Sequence, residues 1–405
     1  MLQSYKIKKI ESSVSRFMNL LYNTQKEITN KIEDFLNKNI TCLHKPQEKI
    51  IPSVIYGMII GETVVSHDIA RELKDDFSLI QLDSVSRRIR RLLNNKRFNG
   101  YQFYKEVISS VIDNYKVKHS TNRIHLTIDH MYCKENYTVL FVSMRIGTQG
   151  IPIYFECFKG IRDPEAFYDE TIIKAIDGAY SLFKNKNFDI IFLADRWFNS
   201  KKVLEHIENL GCTYCFRLKS NLKISNFDSK EGHYIRKYTG DLFSQEYHSF
   251  YYNDVYMYEG LEYKTNIAVS RKCVSDDPWI IATNGEAKYA IRHYSKRFGS
   301  IETIFKNQKS NGFYLEDICT SSLTSFINLY SLVCFGILYL TILGADFSKN
   351  THCYKNVKLT THKTYKEKGK VRVMSLFNIG LTLFKLAVNS LKYIRLPFTM
   401  ILYDI

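Results

Sequence analysis

Two aspartates stand where an α/β protein commonly places catalytic acids. Asp129 follows an alternating apolar and polar run, and Asp195 follows the run 188–194, which is continuously apolar after Asp189. The first pattern predicts a half-buried strand and the second a strand buried on both faces. Ligands of open α/β sheets bind beyond the carboxyl ends of the strands, so both carboxylates are expected at one sheet edge. Such a pair repels unless a cation compensates, and oxygen ligands favour Mg²⁺.

A purely structural role for these aspartates is the alternative. A strand-end aspartate often turns the chain or caps the next helix. For Asp195 this role is less suitable, because Asn199 and Ser200 are better placed to cap the helix that follows. For Asp129 the alternative stays open.

The elements around the aspartates predict a mixed α/β sheet flanked by helices. From Arg123 the pattern is period two, with further strands at 137–146 and 151–158 that form a meander. Helices at about 165–183 and 200–210 then alternate with strands at 188–194 and 213–218.

The pattern divides the chain into five segments. We predict a helical, basic DNA-binding region over 1–118, the two parts of the sheet-containing core over 119–220 and 287–345, a β-strand insertion over 221–286 that is rich in tyrosine, and a C-terminal helical region over 346–405.

An arginine-rich helix is predicted over 83–93. Its apolar residues form one stripe, and its arginines point elsewhere, a geometry that suits phosphate contacts. The arginines are Arg87, Arg88, Arg90 and Arg91. The alternative, which the sequence supports equally, is that these arginines form a solvent-exposed face without a DNA contact.

The order of these features resembles the DDE transposases of bacterial insertion sequences, in the subgroup with a Tyr-x2-Arg-x3-Glu-x6-Lys signature. The resemblance rests on Asp129, the phrase Leu-Ala-Asp-Arg-Trp-Phe at 193–198, the β insertion, and the run 294–309 with Tyr294, Arg297, Glu302 and Lys309. It covers nearly the whole chain.

The resemblance implies an RNase H-like fold in which Asp129, Asp195 and Glu302 bind two Mg²⁺ ions, with Mn²⁺ as a substitute. The ions would support DNA cleavage and strand transfer by in-line phosphoryl transfer. Matching family residues bind DNA phosphates, which assigns that role to Tyr294, Arg297 and Lys309. Trp279 would stack on a flipped base, although a strand tryptophan is more often a core residue. The implied partners are transposon ends, target DNA and a second subunit in a synaptic complex.

The sequence departs from the family pattern at two places. Trp197 stands where family members usually have glycine, and four residues instead of three separate Arg297 from Glu302. One extra residue rotates Arg297 by about 100° away from the glutamate face of a helix. Either Gly299-Ser300 breaks or bulges the helix, or Tyr294 and Arg297 act less directly.

Composition agrees with a polyanionic partner but leaves other functions open. The chain has 57 Lys+Arg against 41 Asp+Glu, a formal charge of +16. The uncharged stretch 319–345 raises a membrane alternative, but only 332–343 is densely apolar, which favours a buried helix. Nine irregularly spaced cysteines and the lack of an apolar leader predict reduced thiols in a cytoplasm. The resemblance implies a bacterial, nucleoid-associated location. An RNase H-like nuclease or resolvase, and a DNA-binding remnant that has lost catalysis, remain alternatives.

Overall fold

A ten-stranded mixed sheet lies in the described part of 119–304. The computed structural model describes residues 25–73, 81–115, 122–228, 231–271, 277–350, 357, 359–365 and 369–389. In the order in which they lie side by side, the strands are β3, β2, β1, β4, β5, β10, β9, β8, β6 and β7. Their bounds are β1 Arg123–Cys133, β2 Tyr137–Ile146, β3 Gln149–Lys159, β4 Asp189–Ala194, β5 Thr213–Arg217, β6 Lys223–Asp228, β7 His233–Tyr238, β8 Ser249–Met257, β9 Tyr263–Ser270 and β10 Trp279–Thr283.

The first five strands confirm the predicted mixed α/β sheet. β1, β2 and β3 form the antiparallel meander, while β4 runs parallel to β1 and β5 parallel to β4. Helix α6 (Asp169–Ser181) precedes β4, and helix α7 (Lys201–Asn209) connects β4 to β5. All residues of β4 after Asp189 are buried, as its unbroken apolar run predicts for a strand covered on both faces.

The predicted β insertion extends this sheet instead of forming a separate one. β10 pairs with β5 on one side and with β9 on the other, so β6 to β9 continue the same hydrogen-bonded surface. Helix α8 (Ala287–Tyr294) covers part of the face, where Ala290 and Tyr294 pack in one cluster with Ala268 and Ile281. Helix α9 (Lys296–Lys309) follows.

The helices divide between two structural units. One unit comprises 119–304, and the other comprises 1–118 together with 305–405. The N-terminal helices therefore belong with the C-terminal ones. Helices of the second unit are α1 (25–39), α2 (Lys45–Gly61), α3 (Ser66–Glu72), α4 (Leu82–Leu93), α5 (Gly100–Asp113), α10 (Leu323–Lys349) and α11 (Leu376–Asn389). The C-terminal region also contains a hairpin of β11 (His362–Tyr365) and β12 (Gly369–Arg372), while the parts of the helical predictions that fall on 1–24 and 390–405 lie outside the described residues.

The long apolar helix α10 is a packed helix of its unit. α10 is long and apolar enough to cross a membrane, and so is the bent pair of α2 and α3 taken together. However, 94% of the most apolar part of α10 is buried inside the protein. Gly344 and Gly380 lie against the backbone carbonyls of α11 and α10, respectively, so the two helices approach closely. The burial that the sequence favoured for this stretch is confirmed.

Candidate functional site

Asp129 and Asp195 occupy matching positions on neighbouring parallel strands. Ile128 of β1 pairs with Ala194 of β4. Asp129 directly follows Ile128, and Asp195 directly follows Ala194. β1 does not end at Asp129, however, but continues to Cys133 along β2. Asp195 directly follows β4, and its carboxylate caps the short 3₁₀ helix Arg196–Phe198.

Burial and mutual repulsion act on this carboxylate pair. Loss of solvation raises the pKa of Asp129 to about 6, and the charge of Asp195 raises it further, against the lowering effect of Arg297 and the His130 amide. The Asp129 side chain is 15% exposed, while that of Asp195 is 31% exposed. The site therefore holds two close acids, one of which resists ionisation.

Arg297 supplies the compensating positive charge. Its Nη2 lies 2.5 Å from Asp129 Oδ2, and its side chain is only 11% exposed. Its buried Nε has no acceptor among the described atoms. The resemblance assigned Arg297 to a DNA phosphate, and in this structure its guanidinium pairs with the Asp129 carboxylate.

Glu302 is not grouped with the two aspartates. The helical run is interrupted at Ser295, before Arg297, and α9 continues without a break through Gly299 and Ser300. Five residues along one helix rotate Glu302 by about 140° from Arg297. Since Arg297 faces Asp129, Glu302 is left exposed on another side of α9. Of the two alternatives that the sequence left open, a break or bulge at Gly299-Ser300 is not seen, because 296–309 is one continuous α-helix.

Packing against the meander fixes this rotation of α9. Gly150 at the start of β3 lies beneath the helix, and its missing Cβ leaves room for the Ser300 carbonyl and the Ile304 side chain. The Gly150 amide also donates to Thr303 Oγ1 at 3.2 Å. The side of α9 that carries Ser300, Thr303 and Ile304 therefore contacts the hairpin of β2 and β3.

Tyr294 and Trp279 form part of an aromatic cluster with Phe298. Tyr294 is 1% exposed, and burial raises its pKa to about 12. Trp279 stacks on Phe298 with the ring centroids 4.9 Å apart and the planes 4° apart, and its edge meets Tyr294. Phe298 thus covers one face of the Trp279 ring, as expected if Trp279 is a core residue.

The remaining predicted DNA contacts lie in the helical unit. Lys309 is paired with Glu316, 2.6 Å from Nζ to Oε1. On α4 the apolar residues are buried and Arg87, Arg88, Arg90 and Arg91 are exposed. In the part of the chain that the structure describes, these four side chains have no acidic partner, so the helix presents uncompensated charge.

Two basic groups beside the acids were missed from the sequence. Arg217 ends β5 one position beyond the pair Ala194 and Phe216, so it lies level with Asp195. Arg196 lies 3.9 Å from Asp195, and both arginines contact Asp277. The signal available was the strand prediction itself, because parallel β5 must end at the same edge as β4.

An exposed tryptophan also stands next to the acids. Trp197 is 67% exposed, and Lys219 Nζ lies 4.8 Å from its ring centroid. The sequence singled out this residue only as a departure from the family pattern.

Asp129 and Asp195 contribute two carboxylates at neighbouring strand positions. Two carboxylates at matching register suit oxygen coordination. Over the described ranges, no three His, Cys, Asp or Glu side chains are grouped so that they could hold a metal ion. A comparison with protein-family models found no match, and a comparison with curated proteins found no significant similarity.

Proposed function

We propose that the chain is a Mg²⁺-dependent DNA transposase that cleaves the ends of a mobile element and joins them to target DNA. The observation that carries the proposal is the placement of Asp129 and Asp195 at matching positions, directly after the last pair of the parallel β1–β4 ladder. The antiparallel meander followed by two parallel strands supports an RNase H-like core. The formal charge of +16 and the exposed arginines of α4 support a DNA substrate.

In this proposal Asp129 and Asp195 hold the divalent ions. Bound Mg²⁺ would activate the attacking oxygen and stabilise the departing one during in-line displacement. Arg297 keeps the buried Asp129 carboxylate neutralised in the free protein. Arg196 and Arg217, at the same edge, are placed to orient the scissile phosphate.

Glu302 completes the site only after α9 has changed its position. In the structure this side chain is exposed on another side of the helix from Arg297. We infer that the helix segment that carries Arg297 and Glu302 moves when DNA binds, so that Arg297 leaves Asp129 for a phosphate and Glu302 turns toward the acids.

A catalytically lost DNA-binding protein is the second candidate. The specific observation in its favour is that Arg297 occupies Asp129 while Glu302 faces elsewhere. Such a protein would keep the basic α4 surface and bind DNA without cutting it.

A cleavage assay on supercoiled and end-labelled DNA with Mg²⁺ separates these functions. We expect Asp129→Asn and Asp195→Asn to lower the cleavage rate at least about 100-fold, because each removes a donor of the metal site. The matched control is Asp189→Asn, at the opposite end of β4, where the side chain pairs with Arg123.

The outcomes of this assay are distinct. Cleavage by Asp195→Asn at the wild-type rate would contradict the enzyme proposal, and DNA binding without any Mg²⁺-dependent cleavage would favour the remnant. Cleavage without joining of labelled ends would indicate a nuclease or resolvase. Wild-type activity in Glu302→Gln would show that another group supplies the third donor.

A further inference from the structure

A bare sheet face carries alternating aromatic and basic side chains at the end of the sheet formed by β6, β7 and β8. We propose that this face binds single-stranded DNA by stacking its bases. We name it the aromatic face, and its residues are Lys223, Phe227, Tyr234, Arg236, Tyr238 and Tyr256. The inference rests on the proposed function in that DNA is taken as the partner.

The register of the strands places these side chains on one side of the sheet. Phe227 lies opposite Tyr234, Lys223 lies opposite Tyr238, and Ser225 lies opposite both Arg236 and Tyr256. Residues that face each other across a ladder share a face, as do residues two apart in one strand. All six members of the aromatic face therefore project from the same surface.

This is the side of the sheet on which α8 packs. Tyr256 pairs with Lys264 of β9, and four residues later Ala268 on the same side packs against Ala290 and Tyr294 of α8. The helix covers the strands nearest the acids. Farther out, over β6 and β7, the aromatic rings of the same face are open to solvent.

The rings form a continuous aromatic surface. Phe227 and Tyr234 have ring centroids 5.6 Å apart, and Tyr234 and Tyr256 have centroids 5.5 Å apart, both with edge-to-face geometry. Phe227 is 51% and Tyr234 45% exposed. Large exposed aromatics are costly to leave in water, which indicates a surface that is covered by a partner.

The charges beside the rings select an anionic partner. Lys223 and Arg236 are exposed, and neither has a side-chain partner in the part of the chain that the structure describes. Asp254 is paired with Lys264, the residue opposite Tyr256, at 2.9 Å. A positive face with interleaved rings is the arrangement by which proteins bind single strands, because cations follow the phosphates while bases stack on rings.

Paired DNA does not satisfy this surface. In a duplex the flat sides of the bases are stacked on one another, so exposed rings on a protein sheet find no base face to contact. Cleavage and joining of DNA ends expose unpaired nucleotides, and the aromatic face offers a place to hold them.

The test measures binding of the full-length protein to a fluorescent 20-nucleotide oligo(dT) and to a 20-base-pair duplex, in EDTA so that no cleavage occurs. We expect Tyr234→Leu to weaken oligo(dT) binding about tenfold and leave duplex binding unchanged, whereas Tyr234→Phe keeps wild-type affinity. Photocrosslinking of an oligonucleotide with 5-iododeoxyuridine is expected to label Tyr234 or a neighbouring ring of the aromatic face.

A matched pair of charge variants completes the test. Arg236→Gln is expected to weaken oligo(dT) binding, while Lys237→Gln, the next residue of β7 and on the opposite side of the sheet, is expected to have no effect. Lys237 instead lies 5.9 Å from the ring centroid of Tyr252. The two variants remove the same charge from one strand, so general electrostatics would affect both.

Several results would overturn the inference. These are wild-type oligo(dT) affinity in Tyr234→Leu, crosslinks only outside the aromatic face, preference for oligo(rU), or a loss of self-association instead of DNA binding. Asp195→Asn should bind oligo(dT) like the wild type. A protein that lacks cleavage yet shows the expected binding would thus contradict the proposed enzyme and not the aromatic face.

Discussion

Asp129 carries a carboxyl whose ionisation opposes folding under neutral conditions. Burial, with the charge of Asp195, raises its pKa to about 6 in the folded protein, from an ordinary value of 3.8. The neutral acid is therefore favoured in the folded state. Its stabilising contribution is fully present below pH 4 and is lost as the pH rises through 6.

We expect Asp129→Asn to reveal this dependence in thermal unfolding without divalent ions. Asparagine resembles the neutral acid, so the stability of the variant relative to the wild type should increase between pH 4 and pH 7, by at most about 3 kcal/mol. Melting curves across this range give the difference directly. A difference that does not change with pH would contradict the assignment. With Mg²⁺ added, the wild type should gain more stability at pH 7 than at pH 5, because ionised carboxylates bind the ion.

At the scale of the element, the rotation of helix α9 determines which of its side chains lies beside Asp129. Gly150 lies under the helix, where an added Cβ would come within 2.6 Å of both the Ser300 carbonyl and the Ile304 Cδ1. Gly150→Ala should therefore displace α9 and destabilise the protein by about 1–3 kcal/mol. The comparison variant is Gly299→Ala on α9 itself, where an added Cβ would meet only ordinary contacts at 3.5 and 3.7 Å.

Opposite signs are expected for the two glycine variants. Alanine is the better helix former, so Gly299→Ala should stabilise the protein by about 0.5–1 kcal/mol. Chemical denaturation measures both. Destabilisation by Gly299→Ala, or an unchanged stability of Gly150→Ala, would show that α9 is not held against the hairpin as described. If the site closes by movement of α9, Gly150→Ala should also alter the Mg²⁺ concentration needed for cleavage.

The strands that carry the acids follow from sequence, but the rotation of α9 does not. The alternating and continuous apolar runs before Asp129 and Asp195 predict a half-buried strand and a buried one, and these strands and the following helices are confirmed. Parallel pairing then places both acids at one edge. The extension of β1 to Cys133 was missed, although its last residues pair with β2 across a short turn, with Cys133 opposite Tyr137.

The orientation of Glu302 depends on contacts that no local pattern encodes. The spacing of Arg297 and Glu302 showed that both could not face the acids in one regular helix, and left open where the helix would adjust. The rotation of α9 is fixed by Gly150 in the hairpin of β2 and β3, because Ser300 and Ile304 pack against this glycine. Likewise, the tyrosine-rich stretch predicted strands, but the exposure of Tyr234 depends on where α8 stops covering the sheet.

At the scale of the whole molecule, the net charge of +16 is expected to act mainly through α4 if the partner is duplex DNA. Each phosphate that a protein neutralises lowers the logarithm of its affinity by about 0.9 for every tenfold rise in salt. Arg87 and Arg91 lie four residues apart on α4, and both are exposed. Arg87→Gln/Arg91→Gln should therefore reduce the salt slope of duplex binding by about 1.8, and weaken binding most at low salt.

A second double variant tests whether the effect belongs to α4 or to the total charge. Lys38→Gln/Lys105→Gln removes two charges from exposed positions on α1 and α5 of the same unit. Charge that acts only at long range is screened beyond about 10 Å at 0.1 M salt, so this variant should leave the slope nearly unchanged. Fluorescence anisotropy titrations from 50 to 300 mM salt measure both slopes. Equal reductions in the two variants would mean that duplex binding does not depend on α4 in particular, but on basic residues spread over this unit.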